Sequence, residues 1–596
     1  MYERNGELIQ SVFKKYFLPT IMMTMALSMG IIVDGIIVGN TLGSDALAAV
    51  NLVLPVTLCF NTIYALFGVG GSVLASIAKG MRDNRRADVS FTLSILMMFA
   101  ISIVFLLAGL VFLDQLARLL AGSSTFQPMV REYLRILVYG APLLIVVPGT
   151  VYFVRADGRP SLASTVLIVA NAVNLILDLV FIIGFKMGIG GASLATVLGY
   201  AVGLLVLLGY FLSNGRSLHF IYFRKEELKA VAKIVICGIP SAVGASLMFI
   251  KILSINAIVL IRLGPSGMVA FSVCLSCLSF VSMFIAGTAQ TMMPIVATLY
   301  GEKDHAGVRF TVKRALKVVM ISSTLLVLVF ELFPGAVLYL FGIRGSAELI
   351  QGSQAIRIFA LSLIGTGFSF LMMYYFQIIQ RSLIATVITI VQGVAVVVPG
   401  AFLLSIFWGS IGIWIAFLLA EICTFALILG VTKVIAKRSD GSLEGLFLLA
   451  GSAAEEYSLD VTIENEKSEA AGLSEKVIHF CLKHKIDAKT ANRVGLAVEE
   501  MTVNTIEYGY KKNNKNYIDI IVRIKEDEII IGLRDMGIPF NPTLYKEEEI
   551  MYSCSGILLV KALARSVNYS RLIGLNSTII RLARCQEKDD SGRIND

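Results

Sequence analysis

Residues 171–197 read NAVNLILDLVFIIGFKMGIGGASLATV. Two apolar runs flank a short turn that carries Lys186 and three glycines. Extended in both directions, each run reaches roughly 20 mostly apolar residues, the length that carries a helix across a bilayer. The first run contains Asn171, Asn174 and Asp178, and the second contains Thr196. Polar groups in hydrocarbon are costly unless paired or hydrated, so they mark either a site or a cross-link between helices. Asn174 and Asp178 are four apart and share one helix face.

Outward from this pair, the same pattern recurs. Twelve spans are expected, near 17–38, 50–76, 92–113, 133–154, 163–185, 192–213, 234–260, 268–296, 316–341, 355–379, 383–407 and 411–434. The chain has 596 residues, 56% hydrophobic and only 16% charged. A soluble protein carries about 25% charged residues, so a disordered chain, a collagen and an ordinary cytosolic enzyme are excluded. The charge is unevenly spread. Residues 1–450 hold 31 Lys and Arg against 19 Asp and Glu, whereas residues 451–596 hold 20 against 23. The first part is therefore a membrane domain and the last a soluble one.

Positive charge clusters in alternate loops. Lys79, Arg82, Arg85 and Arg86 follow the second span, Arg216, Arg224, Lys225, Lys229 and Lys233 the sixth, and Lys303, Arg309, Lys313, Arg314 and Lys317 the eighth. This places those loops, both termini and the soluble tail in the cytoplasm. The net charge of +9 is thus an address for loops, and no direct nucleic-acid binding is expected. Cys274 and Cys277 have a metal-like spacing without a second pair, and they read as small apolar residues in a span.

The membrane part repeats itself at an offset of 221 residues. LGSDALAA from Leu42 matches LGPSGMVA from Leu263, Gly80 and Asp83 match Gly301 and Asp304, and Gly188, Gly191 and Ala195 match Gly409, Gly412 and Ala416. Six spans per copy is an even number, so both copies insert in one orientation. Two six-helix lobes with the substrate path between them are expected, at 1–220 and 221–437. Asp34, late in the first span, joins Asn174, Asp178 and Thr196 as a first-lobe oxygen set able to hold a proton or Na⁺. Their repeat mates are Ile255, Ala395, Pro399 and Phe417. In the second lobe Lys251, Gln290, Glu331, Gln377 and Glu421 read as isolated. Glu331 and Glu421 read as structural residues near span ends, and Lys251 as a snorkelling or cavity-lining residue.

With VDGIIVGNTLGSDALAAVNLVLPV, the glycines of FGVGGSVLAS and the opening segment in hand, residues 10–437 resemble the multidrug and toxic compound extrusion (MATE) family. The resemblance implies twelve helices in two lobes and efflux of bulky, often cationic compounds against inward H⁺ or Na⁺. It also implies a cation site at Asp34, Asn174, Asp178 and Thr196.

After a linker at 438–453, residues 454–585 read as an α+β sandwich, with helices on one face of a mixed sheet, followed by a polar tail at 586–596. Strands are expected within EEYSLDVTIEN, at 516–525 and 528–534, and as a closing pair near 569–584. Helices are expected at 470–484, 488–508 and 556–567. In LAVEEMTVNTIEYGY, Glu500 and Asn504 share a helix face, where a carboxylate can orient water or a hydroxyl and a carboxamide can ligate Mg²⁺. In LRDMGIPFNP, Asp535 ends a strand and Gly537 opens a turn. In YSCSGILLVKALA, Gly556 opens a helix whose free N–H groups suit phosphate. In this order, closed by GLNSTIIRL, the motifs resemble the GHKL ATP-binding fold, in particular its anti-sigma-factor serine kinase branch. By that resemblance Glu500 is the general base, Asn504 the Mg²⁺ ligand and Asp535 the adenine acceptor. Gly537 shapes the adenine pocket and Gly556 meets the phosphates. Cys554 stands where that branch has the first of two phosphate-loop glycines. His479 and His484 lack the context of a phosphoacceptor, and no P-loop is present.

The expected protein is a bacterial cytoplasmic-membrane antiporter with lipid and small molecules as its partners. Its tail is expected to bind ATP and Mg²⁺ and to regulate transport. The alternative is a membrane-anchored serine kinase, or a sensor that binds a cytoplasmic regulatory protein of anti-anti-sigma or sigma-factor type.

Overall fold

The structure is a computed structural model. It describes residues 4–122, 126–213, 215–341, 343–439, 443–450, 457–510, 515–544 and 555–584. Cys554, the polar tail at 586–596 and parts of the expected linker lie outside the described residues. The chain divides into two units, Lys15–Val434 and Met1–Lys14 with Ile435–Asp596.

Eleven helices among the described residues are long and apolar enough to cross a membrane. They are Glu7–Leu42, Asp45–Gly80, Asn84–Val111, Gln127–Ala156, Pro160–Gly184, Gly188–Phe211, Lys225–Gly264, Gly267–Gly301, His305–Leu332, Leu349–Ile378 and Ser382–Arg438. The last has 57 residues. At 1.5 Å per residue it would run about 85 Å, far more than one bilayer needs. It is broken at Gly409, where φ is 56°, so it supplies the eleventh and twelfth spans. The sides of these helices present large apolar residues such as Leu205, Ile261, Leu383 and Phe407 outward. Such exposure suits a lipid solvent and would be a liability in water.

The internal repeat is built into the backbone. The repeat mates Gly43 and Gly264 both have positive φ (89° and 67°), as do a second pair of mates, Gly188 and Gly409 (64° and 56°). Each pair breaks the chain at the same point of its lobe, in a conformation that glycine adopts at little cost. Arg82 and Lys303 repeat the pattern with φ of 61° and 59°. Asp83 caps the third span through the amide of Arg86, and Asp304 caps the ninth through that of Gly307. The lobes meet at the equivalent glycines Gly80 and Gly301. A Cβ on Gly80 would lie 3.0 Å from the Gly301 Cα, and one on Gly301 would lie 3.1 Å from the Gly80 Cα. Across the same interface Arg155 donates to Gln290 at 2.9 Å.

Among the described residues three π-helical turns interrupt the spans, at Ala65–Val69, Leu179–Gly184 and Val391–Ala395. The second follows Asp178 directly. Such turns widen a helix locally and recur at functional sites.

In the other unit the order is β1 (Ser458–Glu464), α1 (Lys467–Lys483), α2 (Ala488–Gly509), β2 (Tyr517–Ile524), β3 (Glu528–Asp535), α3 (Ser555–Leu563), β4 (Ser566–Leu572) and β5 (Leu575–Ala583). The sheet order is β1-β2-β3-β5-β4. Every pairing in it is antiparallel, which corrects the expected mixed sheet. Alternation in YIDIIVRI turns Ile518, Ile520, Val522 and Ile524 inward, where they meet Leu473, Val477 and Cys481 of α1 and Val494 and Val498 of α2. Within the stretch expected to be a linker, Leu443–Glu444 pairs with Leu449–Ala450 as a short hairpin.

The N-terminal residues belong to this unit. The Arg4 guanidinium donates to the fully buried Asp519 carboxylate at 3.0 Å, and the Thr462 hydroxyl donates to the other oxygen at 2.8 Å. The Asn5 amide donates to Thr462.

Candidate functional sites

In the first lobe the fifth and sixth spans carry Asn174, Asp178 and Thr196 to one place. Asn174 Nδ2 lies 3.2 Å from Asp178 Oδ2 and 3.3 Å from Thr196 Oγ1. Asp34, from the first span, brings its carboxyl close enough to that of Asp178 for the two to interact. Asp178 is fully buried. One oxygen of each carboxyl, Oδ1 of Asp34 and Oδ1 of Asp178, is buried without a hydrogen-bond partner. Two adjacent carboxylates with orphaned oxygens are satisfied by a shared proton or by a cation between them. The oxygen-rich set thus fits H⁺ or Na⁺.

Asn171 lies one turn away and does something else. Its Nδ2 donates to the Ala26 carbonyl at 2.7 Å, against Gly30, tying the fifth span to the first. Tyr133 of the fourth span is close enough to interact electrostatically with both Asp34 and Asp178. Nothing in its local sequence distinguishes it from a core tyrosine.

The second lobe differs from the expectation of isolated polar residues. Glu421 lies inside the twelfth span rather than near its end, and it accepts from Thr366 Oγ1 (2.8 Å), Ser369 Oγ (2.8 Å) and Gln392 Nε2 (3.0 Å). Lys251 and Glu421 both line a cavity of about 350 Å³. Gln377 is a cross-link, accepting from Ser241 and donating to the Cys237 carbonyl.

In the C-terminal unit, Glu500 and Asn504 stand on α2, and Gly556 at the start of α3 sits directly on them. A Cβ on Gly556 would come within 1.8 Å of Glu500 Oε2 and 3.3 Å of Asn504 Nδ2. Asn504 Nδ2 donates back to the Glu500 carbonyl at 2.7 Å. That bond uses a carboxamide N–H and leaves the Oδ1 lone pairs to accept. Mg²⁺ keeps waters and phosphate oxygens and needs few protein ligands, so this donor set fits a metal that arrives with its nucleotide.

Asp535 ends β3 and is 4% exposed. Its Oδ1 accepts from the Gly537 amide (2.7 Å) and from Asn576 Nδ2 (2.8 Å). Burial pushes the Asp535 carboxyl above the ordinary range, and the Asn576 bond opposes this. The turn at Gly537 packs on the end of α2, where the Ile538 amide donates to the Gly509 carbonyl at 2.8 Å. A Cβ on Gly537 would meet that same oxygen at 2.5 Å. Strand register completes the surroundings. Asp535 faces Asn576 across β3–β5, and Arg571 faces Asn576 across β4–β5. Tyr569 and Arg571 both donate to Asn576 Oδ1. Asn576, within the closing GLNSTIIRL, is thus the residue that orients Asp535.

The MatE family model matches residues 19–180 and 240–403, more than half of the chain. This protein belongs to the MatE family. The Histidine kinase-like ATPase domain model matches residues 465–584, so a MatE transporter domain is fused here to a GHKL-like domain. The Multidrug export protein MepA of Staphylococcus aureus (strain MRSA252) is 25% identical over 391 residues, 65% of this chain and 85% of that protein. The MepA protein of Staphylococcus haemolyticus is 25% identical over 388 residues, 64% of this chain and 84% of that protein. Among solved structures, an outward-facing MATE family transporter covers 74% of this chain and all of its own, with a TM-score of 0.66 and 21% identity. A MATE transporter in a bent conformation covers 74% of this chain and 99% of its own, with a TM-score of 0.65 and 22% identity. The MatE fold spans both lobes, and the ATPase domain lies beyond the second family-model match.

Proposed function

We propose that this multi-pass MatE protein is a secondary-active multidrug efflux antiporter. It couples inward H⁺ or Na⁺ to export of bulky, often cationic compounds, and its tail binds ATP with Mg²⁺ to regulate transport. The observation that carries this reading is the carboxyl pair Asp34–Asp178, each with a buried oxygen lacking a partner, and with Asn174 bridging Asp178 and Thr196. Occupation by a cation satisfies the pair, and its release to the other side returns the empty state. Alternating access between two lobes converts that cycle into exchange. The MepA relatives are named as multidrug exporters, which supports the substrate class. The basic loops favour both termini and the ATPase domain lying in the cytoplasm of a bacterial cell.

In an efflux-deficient bacterial host, the protein is expected to lower ethidium accumulation. A protonophore or a Na⁺ ionophore, depending on the coupling ion, restores accumulation. Ethidium efflux that survives collapse of both gradients sinks the antiport reading.

The position of Glu500 against Gly556 favours a second role for the tail, phosphoryl transfer to a serine of a cytoplasmic regulatory protein. There the serine oxygen forms a bond to the γ-phosphorus, the bond to the ADP oxygen breaks, and Glu500 takes the hydroxyl proton. Glu500→Gln then abolishes ATP turnover while ATP binding persists. Turnover unchanged in that variant removes Glu500 from any catalytic role.

A further inference from the structure

The 221-residue offset relates the first-lobe site to the second-lobe cavity. Gly30, Asn171 and Tyr200 have Lys251, Gln392 and Glu421 as their repeat mates. In the first lobe Asn171 packs onto Gly30 and closes the space between spans. In the second lobe the same positions carry longer and charged side chains around a cavity of about 350 Å³. This is within the size range of small-molecule sites.

The cavity is mostly aromatic and aliphatic, with Phe271, Phe359, Phe370, Tyr374 and Phe417 of the second lobe on its walls and Tyr64 and Tyr152 of the first lobe completing its lining. Phe417 touches both Phe359 and Phe271, at centroid separations of 4.9 and 6.3 Å, and forms a continuous aromatic wall. The π-helical turn at Val391–Ala395 turns Gln392 and Gly393 into the same space.

Its two charges are not equivalent. Glu421 is held by three donors, Thr366, Ser369 and Gln392, so its oxygens are already engaged. Lys251 has no such partners. Its Nζ lies over the Phe417 ring at 5.4 Å, and Glu421 of the same cavity acts on it electrostatically from beyond salt-bridge distance. A cation on an aromatic face inside an apolar cavity keeps its donors unused. The group that completes it is an acceptor bearing negative charge.

We infer that the second-lobe cavity is a substrate subsite for amphipathic aromatic molecules carrying an anionic group, a carboxylate or its equivalent, placed on Lys251 with the aromatic body against Phe417, Phe271 and Phe359. The inference rests on the exporter reading for its purpose, but binding to the cavity is measurable without transport. It widens the substrate range beyond cations, because the first-lobe carboxyls serve the coupling ion while the second lobe presents a positive charge to cargo.

Dansylglycine and its methyl ester provide the test, since they share one fluorophore and differ in the charge of the carboxyl group. The purified full-length protein is expected to bind the acid about tenfold more tightly than the ester, as one charge-assisted contact allows. Lys251→Met is expected to erase that preference while leaving ester binding intact. Lys251→Arg is expected to restore part of it. Intact ester binding shows that the Lys251→Met variant is folded. Equal affinity of the wild type for acid and ester, no binding of the acid, or parallel loss of both ligands in Lys251→Met overturns the subsite. Acid-selective binding together with gradient-independent efflux would leave the subsite standing and remove only the antiport reading.

Discussion

Replacing Asp34 or Asp178 by asparagine is expected to reduce gradient-driven efflux to the leak of protein-free vesicles, with the protein still inserted and folded. The side-chain volume is unchanged, so packing in the first lobe is retained. The ability to take up and release a cation is not, because an amide neither titrates nor contributes negative charge. Each substitution removes one member of a pair whose Oδ1 atoms lack partners in the structure. The neutral amide also relieves like-charge repulsion within the pair, so thermal stability is expected to hold or rise. Loss of transport with retained stability separates an ion site from a structural cross-link, for which the opposite pattern is expected. Asn171→Ala supplies the contrast. Asn171 ties the fifth span to the first through the Ala26 carbonyl, so its loss is expected to lower stability more than coupling.

In the ATPase domain the largest effect is expected at Asn504. Asn504→Ala removes the carboxamide oxygen and the bond to the Glu500 carbonyl. Loss of a contact to a charged group costs about 1.5–3 kcal/mol, or roughly 10- to 150-fold in Kd for ATP·Mg²⁺. The loss depends on the metal, so the variant and the wild type are expected to converge when Mg²⁺ is chelated. Titration of the purified full-length protein with a fluorescent ATP analogue, with and without Mg²⁺, reads both effects. Gly556→Val acts differently. Its side chain collides with the Glu500 carboxylate and weakens binding with or without metal. Wild-type affinity in both variants would remove this face of α2 from the nucleotide site.

Much of the fold is readable from the chain because hydropathy acts locally. A span announces itself within its own length, and the alternation in YIDIIVRI assigns its strand face without knowledge of its neighbours. The repeat was legible because its matches fall on glycines and caps, and those are the places where Gly43, Gly264, Gly188 and Gly409 take up matching left-handed conformations. Strand direction was not legible, because alternation says which side is buried but not which way the neighbour runs. The same limit hid Asn576. It reaches Asp535 through the register of two strands whose paired residues lie 41 positions apart.

Asn174 and Asp178 could be grouped because helical spacing alone puts them on one face. Lys251 and Glu421 could not. They sit on the seventh and twelfth spans, and only packing of those spans around one cavity unites them. Glu421 read as structural because a lone acid in an apolar run carries no sign of the Thr366, Ser369 and Gln392 donors that other spans bring to it. The repeat offset holds the missed signal. It links Lys251, Gln392 and Glu421 to Gly30, Asn171 and Tyr200, of which Gly30 and Asn171 already meet in the first lobe.

Purified protein in sealed vesicles allows pH and Na⁺ gradients to be imposed separately, with and without ATP on the side of the ATPase domain. Ethidium movement driven by one gradient alone, abolished in Asp34→Asn and altered in rate by ATP, is the result expected of an ion-coupled antiporter with a regulatory nucleotide domain. Ethidium movement that needs ATP and ignores both gradients would contradict it.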